Sequence, residues 1–130
     1  MQLRIRTYQS KDYPFLVEMF YQSLYVPEGK DPYDRGVIQK PELARYFIEW
    51  GRPTDHCFIA EKDGKRIGAV WARFFTEEDP GYGFVEERFP ELGIALLPDY
   101  RGKGVGSDLL DHLIQFLKTE NIPGVSLSVD

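Results

Sequence analysis

The stretch that decides the fold reads Leu96-Leu97-Pro98-Asp99-Tyr100-Arg101-Gly102-Lys103-Gly104-Val105-Gly106-Ser107. It follows an apolar segment and precedes an amphipathic one, so it predicts a turn between a buried strand and a helix. Three glycines in five residues allow the backbone to approach a ligand closely. The start of the helix adds unpaired N–H groups and a partial positive charge. With Arg101 and Lys103, these features predict a site for an anion, most naturally a phosphate.

Two common phosphate-binding motifs do not fit this turn. The dinucleotide fingerprint spaces its glycines G-x-G-x-x-G, and the Walker loop requires a lysine between its last glycine and a serine or threonine. Here the glycines are Gly102, Gly104 and Gly106, and Ser107 follows directly. The alternative interpretation is a glycine-rich turn that binds no ligand.

The segments that flank the turn predict strands and one further helix. Residues 92–97 are nearly all apolar, which is typical of a strand buried on both faces. Residues 107–118 separate apolar from polar positions at helical spacing, and residues 125–129 alternate as a last strand. A strand, a helix and a strand connected in this way are expected to be parallel.

Upstream of the turn, the sequence predicts a strand, two helices and a hairpin. Residues 3–7 alternate as a strand, and Asp12 is expected to cap a helix that has Pro14 in its first turn. A long loop, at residues 26–40, precedes a second helix at 41–50. The hairpin follows, with strands at residues 57–60 and 67–75 and a tight turn at Asp63-Gly64.

Composition restricts the class of protein. The chain has 130 residues, 42% of them hydrophobic, and predicts a single domain over residues 1–130. The only cysteine, Cys57, excludes an internal disulfide and suggests no metal site. We expect a cytoplasmic protein, because no segment resembles a membrane span or a signal peptide. The net charge of −5 argues against general nucleic-acid binding.

The negative charge is concentrated in one segment. Residues 76–91, the acidic segment, hold six acidic residues and one basic residue, and the remainder of the chain is neutral. Such a segment usually keeps a surface solvated, but it also attracts a positively charged ligand.

The pattern Arg-x-x-Gly-x-Gly at residues 101–106 resembles the pyrophosphate-binding motif of the GCN5-related N-acetyltransferases, the GNAT superfamily, whose members bind acetyl-coenzyme A (acetyl-CoA). The order of strand, two helices, hairpin, strand, glycine turn, helix and strand is also that of the superfamily. The resemblance implies an α+β fold with a mixed, mostly antiparallel sheet and helices on both faces. It also implies one parallel strand–helix–strand unit around the glycine turn.

The resemblance further implies how the cofactor binds. Backbone N–H groups of the turn hold the pyrophosphate, and the preceding strand pairs with the pantetheine arm. Leu96 and Ser126 flank the cofactor cleft, and an N–H group near Leu96 meets the developing oxyanion. The implied cofactor-binding residues are Ile94, Ala95, Leu96, Arg101, Gly102, Lys103, Gly104, Val105, Gly106 and Ser107.

The reaction that the resemblance implies is acetyl transfer to a primary amine of a small molecule, peptide or protein. Glu91 is the candidate general base, which would remove the amine proton directly or through water. The alternative interpretation is that Glu91 is only a surface carboxylate at the start of the strand. Tyr25, Tyr82 and Glu86 are the candidate acceptor-binding residues, in a region where acids and aromatic faces suit a cation. No metal is expected.

One part of the family pattern is not matched. Family members normally continue with another helix and two strands, whereas this sequence ends at Asp130, so we expect a domain truncated after its fifth strand. Another copy of the chain is expected to pair with that last strand, as a homodimer, if the chain is not simply truncated. Two other functions stay open: a non-catalytic acyl-CoA-binding domain, and an interaction module whose acidic segment binds a basic partner.

Overall fold

The computed structural model describes residues 3–24 and 29–127. The strands are β1 Leu3–Thr7, β2 His56–Lys62, β3 Lys65–Arg73, β4 Glu91–Leu96 and β5 Ser126–Leu127. The helices are α1 Tyr13–Gln22, α2 Pro41–Ala44 and α3 Val105–Thr119. Short 3₁₀ turns lie at Ser10–Asp12, Arg35–Gln39 and Pro98–Tyr100.

The strands form one mixed sheet in the order β1-β2-β3-β4-β5. The first three pairings are antiparallel, and β4 pairs with β5 in parallel, Glu91 opposite Ser126. The hairpin turn has positive φ angles at both Asp63 (+52°) and Gly64 (+82°), as a two-residue turn between twisted strands requires. The predicted fold class is therefore confirmed.

Each face of the sheet is covered by helix. Along β2, Cys57 and Ile59 face α1 and α2, whereas Phe58 and Ala60 face α3, which is the period of two expected for a strand. Three leucines of α3, at positions 109, 113 and 117, complete the second core. The sheet therefore lies between two apolar layers. The glycine turn follows the carboxyl-terminal end of β4 and leads into α3.

The second helix is shorter than the sequence predicts. Instead of residues 41–50, α2 covers only Pro41–Ala44. The reason is the buried Arg73 guanidinium, which donates hydrogen bonds to the carbonyls of Arg45 (2.9 Å) and Ile48 (2.8 Å). The prediction of one helix to residue 50 was wrong, because the Arg73 side chain of β3 hydrogen-bonds the carbonyls of the residues that follow α2.

Asp12 does not cap α1 with its side chain, contrary to the prediction. Its fully buried carboxylate instead accepts two hydrogen bonds from Arg6, one from Arg66 Nε and one from the Gln9 N–H, each of 2.8 Å. The hydrogen bonds from Arg6 hold the pKa of Asp12 well below its ordinary value of 3.8. Asp12 therefore joins β1, β3 and the start of α1.

The predicted last strand is described only in part. The residues of β5 are Ser126–Leu127, and positions 128 and 129 of the predicted strand lie outside the described residues. In the described ranges, no helix combines the length and the apolar character that crossing a membrane requires.

The buried Asp12 cluster predicts a loss of stability in acid. Asp12→Asn should lower the free energy of unfolding by about 1.5–3 kcal/mol at pH 7, because Arg6 and Arg66 lose charge-assisted hydrogen bonds, while Arg6 keeps its ion pair with Glu61. The unfolded chain takes up the Asp12 proton more readily than the folded chain. The stability from this group is therefore complete above its ordinary pKa and is lost as the pH falls below about 4.

Urea unfolding at several pH values measures both effects. The control is Asp111→Asn, on the exposed side of α3, which should change stability by no more than about 0.5 kcal/mol. Equal stability of Asp12→Asn and the wild type at pH 7 would contradict this role for the cluster.

Candidate functional site

The backbone of β4 forms hydrogen bonds with β3 on one side and with β5 on the other. Leu97 donates its N–H to the carbonyl of Ile67 (2.8 Å), whereas the carbonyl of Pro90 accepts the N–H of Ser126 (2.9 Å). Since successive residues of a strand direct their backbone groups to opposite sides, Ile94 and Leu96 direct theirs toward the β5 side. The described pairing with β5 extends only to Leu92.

A cleft of about 290 Å³ lies beside this end of β4. Its walls are residues 94–96, Arg101 and Gly106, with Gln22 and Ser23 at the end of α1 on the other side. The structure thus brings five of the predicted cofactor-binding positions together. A wider groove of about 510 Å³ lies between α3 and β2, but it contains none of the residues of the glycine turn.

The glycine turn presents free amides to this cleft. Gly102 (φ +75°) and Gly104 (φ +84°) adopt the left-handed conformation that favours glycine. Gly104 is the N-cap of α3, and no side chain of the described residues caps that end. The first helical hydrogen bond of α3 runs from Asp108 N–H to the Gly104 carbonyl (3.2 Å). The N–H groups of residues 105–107 therefore lack helical acceptors, which suits a diphosphate.

Gly106 has a different role from the other two glycines of the turn. It lies inside the helix, and a Cβ there would meet the Cδ1 atoms of Ile94 and Leu96 at 3.8 Å, an ordinary contact. Neither backbone strain nor packing therefore demands glycine at this position. Its absent side chain leaves the cleft wall open next to the helix N-terminus.

Arg101 lies across the rim of the cleft. Its Nε donates to the carbonyl of Leu96 (3.1 Å), and its Nη2 donates to Oε1 of Gln22 (3.3 Å). The guanidinium therefore connects the end of β4 to the end of α1 and adds positive charge next to the uncapped amides. Ser107 and Lys103 are exposed on the turn side of this rim.

The Glu91 carboxylate lies under the acidic segment. The residue is 5% exposed, and its Oε1 accepts the N–H of Gly83 (3.0 Å). The Tyr46 hydroxyl donates a hydrogen bond to this carboxylate. The same hydroxyl oxygen accepts the N–H of Tyr82 (2.6 Å). A Cβ at Gly81 would overlap Oε1 of Glu91, so the segment can pack this closely only with glycine there.

Tyr46 stays protonated because of this arrangement. Burial is the main cause that raises the pKa of Tyr46 far above its usual value, and the hydrogen bond to Glu91 raises it further. Its O–H therefore remains a donor to the carboxylate. Sequence analysis missed Tyr46, because its partners lie 36 or more residues away in the chain.

The two described candidates for acceptor binding have different partners. Tyr82 is 62% exposed, stacks on the Tyr46 ring and lies 5.0 Å from the Arg45 guanidinium. Glu86 pairs with Arg88. Tyr25 lies outside the described residues. Tyr82 is connected to Glu91 through the Tyr46 hydroxyl.

Arg45 was also missed by sequence analysis. Its Nε is buried and has no hydrogen-bond partner among the described residues, while its Nη1 lies 3.6 Å from Asp79. It thereby brings a cation to the acidic segment beside Tyr82. The described residues contain no cluster of three or more His, Cys, Asp or Glu side chains arranged to hold a metal ion.

Comparison with known proteins gives the family. The family model of the acetyltransferase (GNAT) family matches residues 13–130. An uncharacterized N-acetyltransferase from Archaeoglobus fulgidus is 27% identical over 105 residues, and one from Methanocaldococcus jannaschii is 26% identical over 121 residues. The alignments cover 75% and 88% of this chain, but the chain spans only 65% and 47% of the lengths of these relatives.

A solved structure agrees with this result. The crystal structure of a predicted acetyltransferase from Clostridium acetobutylicum, determined with acetyl-CoA, is 25% identical in sequence and superposes with a TM-score of 0.71. The match covers 99% of this chain and 82% of the Clostridium chain. The matched family model includes β4, the glycine turn and α3, on which the resemblance depends. The resemblance inferred from the sequence is confirmed: the chain belongs to the GNAT family of acetyltransferases.

Proposed function

We propose that this chain transfers an acetyl group from acetyl-CoA to a primary amine. One observation carries the proposal: the cleft beside residues 94–96 of β4 leads directly to the uncapped amides of α3. An elongated ligand with amides at one end and a diphosphate at the other matches that sequence of groups. Family membership and the acetyl-CoA in the Clostridium structure support the same ligand.

In this proposal, two sets of residues hold the cosubstrate. The backbone of Ile94 and the N–H of Leu96 pair with the pantetheine arm, while the Leu96 carbonyl accepts Arg101 Nε and Ala95 lines the cleft. The amides of residues 102–107 hold the pyrophosphate, since the Arg101 N–H is donated to the Pro98 carbonyl, and the Arg101 and Lys103 side chains add positive charge. With the pyrophosphate at the turn, the arm extends back along β4, and its acetyl end comes toward Glu91.

The chemistry requires removal of a proton from the acceptor. The ammonium group first gives up one proton, the neutral amine nitrogen then forms a bond to the acetyl carbonyl carbon, the carbon–sulfur bond breaks, and the thiolate leaves with the electron pair and takes up the second proton that the nitrogen loses. Glu91 accepts the amine proton, directly or through water, because its carboxylate lies at the same end of β4 as the acetyl group. The Gly83 N–H donates directly to this carboxylate, and the Tyr82 N–H donates to the Tyr46 hydroxyl, which in turn bonds the carboxylate. These contacts hold residues 82–83 of the acidic segment next to Glu91.

The acceptor in this proposal is a cationic amine. Tyr82 offers an exposed ring, and the acidic segment around it has a net charge of −5. We assign Tyr82 and Glu86, with Tyr25, to acceptor binding. A cytoplasmic location and a homodimer paired through β5 complete the proposal, and light scattering tests the dimer.

The first test measures whether the glycine turn binds the cosubstrate. Gly104→Asp and Gly104→Asn have the same shape, and both residues tolerate a positive φ, so each should fold with similar stability. Only aspartate adds negative charge beside the diphosphate. Gly104→Asp should therefore bind acetyl-CoA at least about tenfold more weakly than Gly104→Asn in titration calorimetry. Equal affinities would show that the phosphates bind elsewhere.

The second test concerns the general base. Glu91→Gln should lower kcat by about 10²–10⁴-fold, while the affinity for acetyl-CoA stays within a few fold. Release of free thiol with a panel of amines measures turnover, and Glu42→Gln, an exposed acid on α2, is the charge-matched control. Unchanged kcat in Glu91→Gln would remove Glu91 from the mechanism. Binding of acetyl-CoA by the wild type without thiol release for any amine would favour the non-catalytic alternative.

A further inference from the structure

A second basic cluster lies beside the glycine turn, outside the cleft. The Nζ atoms of Lys62, Lys65 and Lys103 lie 5.5, 5.8 and 6.0 Å from the centre of the Tyr100 ring. These lysines come from the end of β2, the start of β3 and the turn itself. Three ammonium groups from three separate segments therefore converge on one half-buried ring.

The sheet register places like charges side by side in this cluster. Lys62 and Lys65 are directly opposite each other in the β2–β3 pairing, and like charges in directly opposed positions destabilise a sheet. Asp63, in the turn between them, and Asp99, next to Tyr100 in the chain, are two acids against the three lysines, so the positive charge exceeds the negative charge by one. An anion bound between the lysines would reduce the repulsion, so the arrangement favours a negatively charged ligand.

The chemistry of the proposed cosubstrate supplies such an anion. Coenzyme A carries a pyrophosphate and, separately, a phosphate monoester on the 3′ position of its ribose. The amides of residues 105–107 suit the pyrophosphate, and Lys103 belongs to the same turn and also to the lysine cluster. A ligand whose pyrophosphate lies on these amides therefore has its second phosphate within reach of the neighbouring lysines.

We propose that Lys62, Lys65 and Lys103, around Tyr100, form a binding site for the 3′-phosphate of acetyl-CoA. This inference rests on the proposed function. It adds a determinant of specificity, because the cluster distinguishes the complete cofactor from its 3′-dephospho form.

The test compares two cofactors and one double variant. In titration calorimetry at low salt, the wild type should bind acetyl-CoA about tenfold or more tightly than 3′-dephospho-acetyl-CoA, because the dianion meets several ammonium groups. Lys62→Gln/Lys65→Gln should reduce this ratio to about threefold or less. The affinity for the dephospho form should stay nearly unchanged. Lys40→Gln/Lys118→Gln, at two exposed lysines outside the cluster, should keep the wild-type ratio and controls for the loss of two positive charges.

The outcomes separate the inference from the proposed function. If the wild type binds both cofactors equally, or if the double variant loses affinity for both to the same extent, the 3′-phosphate site is wrong while acetyl-CoA binding stands. If the wild type binds neither cofactor, the proposed function itself fails.

Discussion

The rest of the site depends on the divided hydrogen bonding of β4. On one side its backbone is bonded to β3, and on the other side it pairs with β5 at Glu91 and Leu92, opposite the last described residues. Ile94, Ala95 and Leu96 line a cleft on that second side, and the chain then turns into the amino terminus of α3. The end of β4 and the uncapped end of α3, whose first amides have no helical acceptor, meet at this one place. The position of every proposed cofactor contact follows from this meeting.

Two buried arginine–aspartate groups hold the elements around that strand. Arg73 forms two hydrogen bonds with Asp55 and bonds the carbonyls that follow α2, so that Tyr46 lies beneath the acidic segment. Asp12 joins β1, β3 and the start of α1, which leads to the cleft wall. In the Arg73–Asp55 pair both side chains are buried, so removal of one partner leaves an uncompensated charge. In the Asp12 group the carboxylate is buried, and its arginines keep contact with Glu61 or with solvent. These charged side chains therefore hold the Tyr46 region and the end of α1 in place beside β4, although their burial costs desolvation energy.

Local patterns in the sequence predict the elements that local forces determine. The hairpin at Asp63-Gly64, the apolar β4 and the glycine turn were all located correctly, because each depends on backbone conformation or periodicity over a few residues. The length of α2 and the contacts of Asp12 were not, because partners distant in the chain decide them. Tyr46 carries no signal of its own, since its hydroxyl matters only through Glu91 and Tyr82. The roles of the site residues remain predictions.

The central claim is that main-chain amides, rather than side chains alone, hold the cosubstrate. Amide chemical shifts followed by NMR during titration with acetyl-CoA measure this directly. The account predicts the largest changes at residues 105–107 and at Ile94 and Leu96. Gly93 and Ala95, whose amides face β3, should change less. Changes confined to the acidic segment, with the amides of the turn unaffected, would contradict the account.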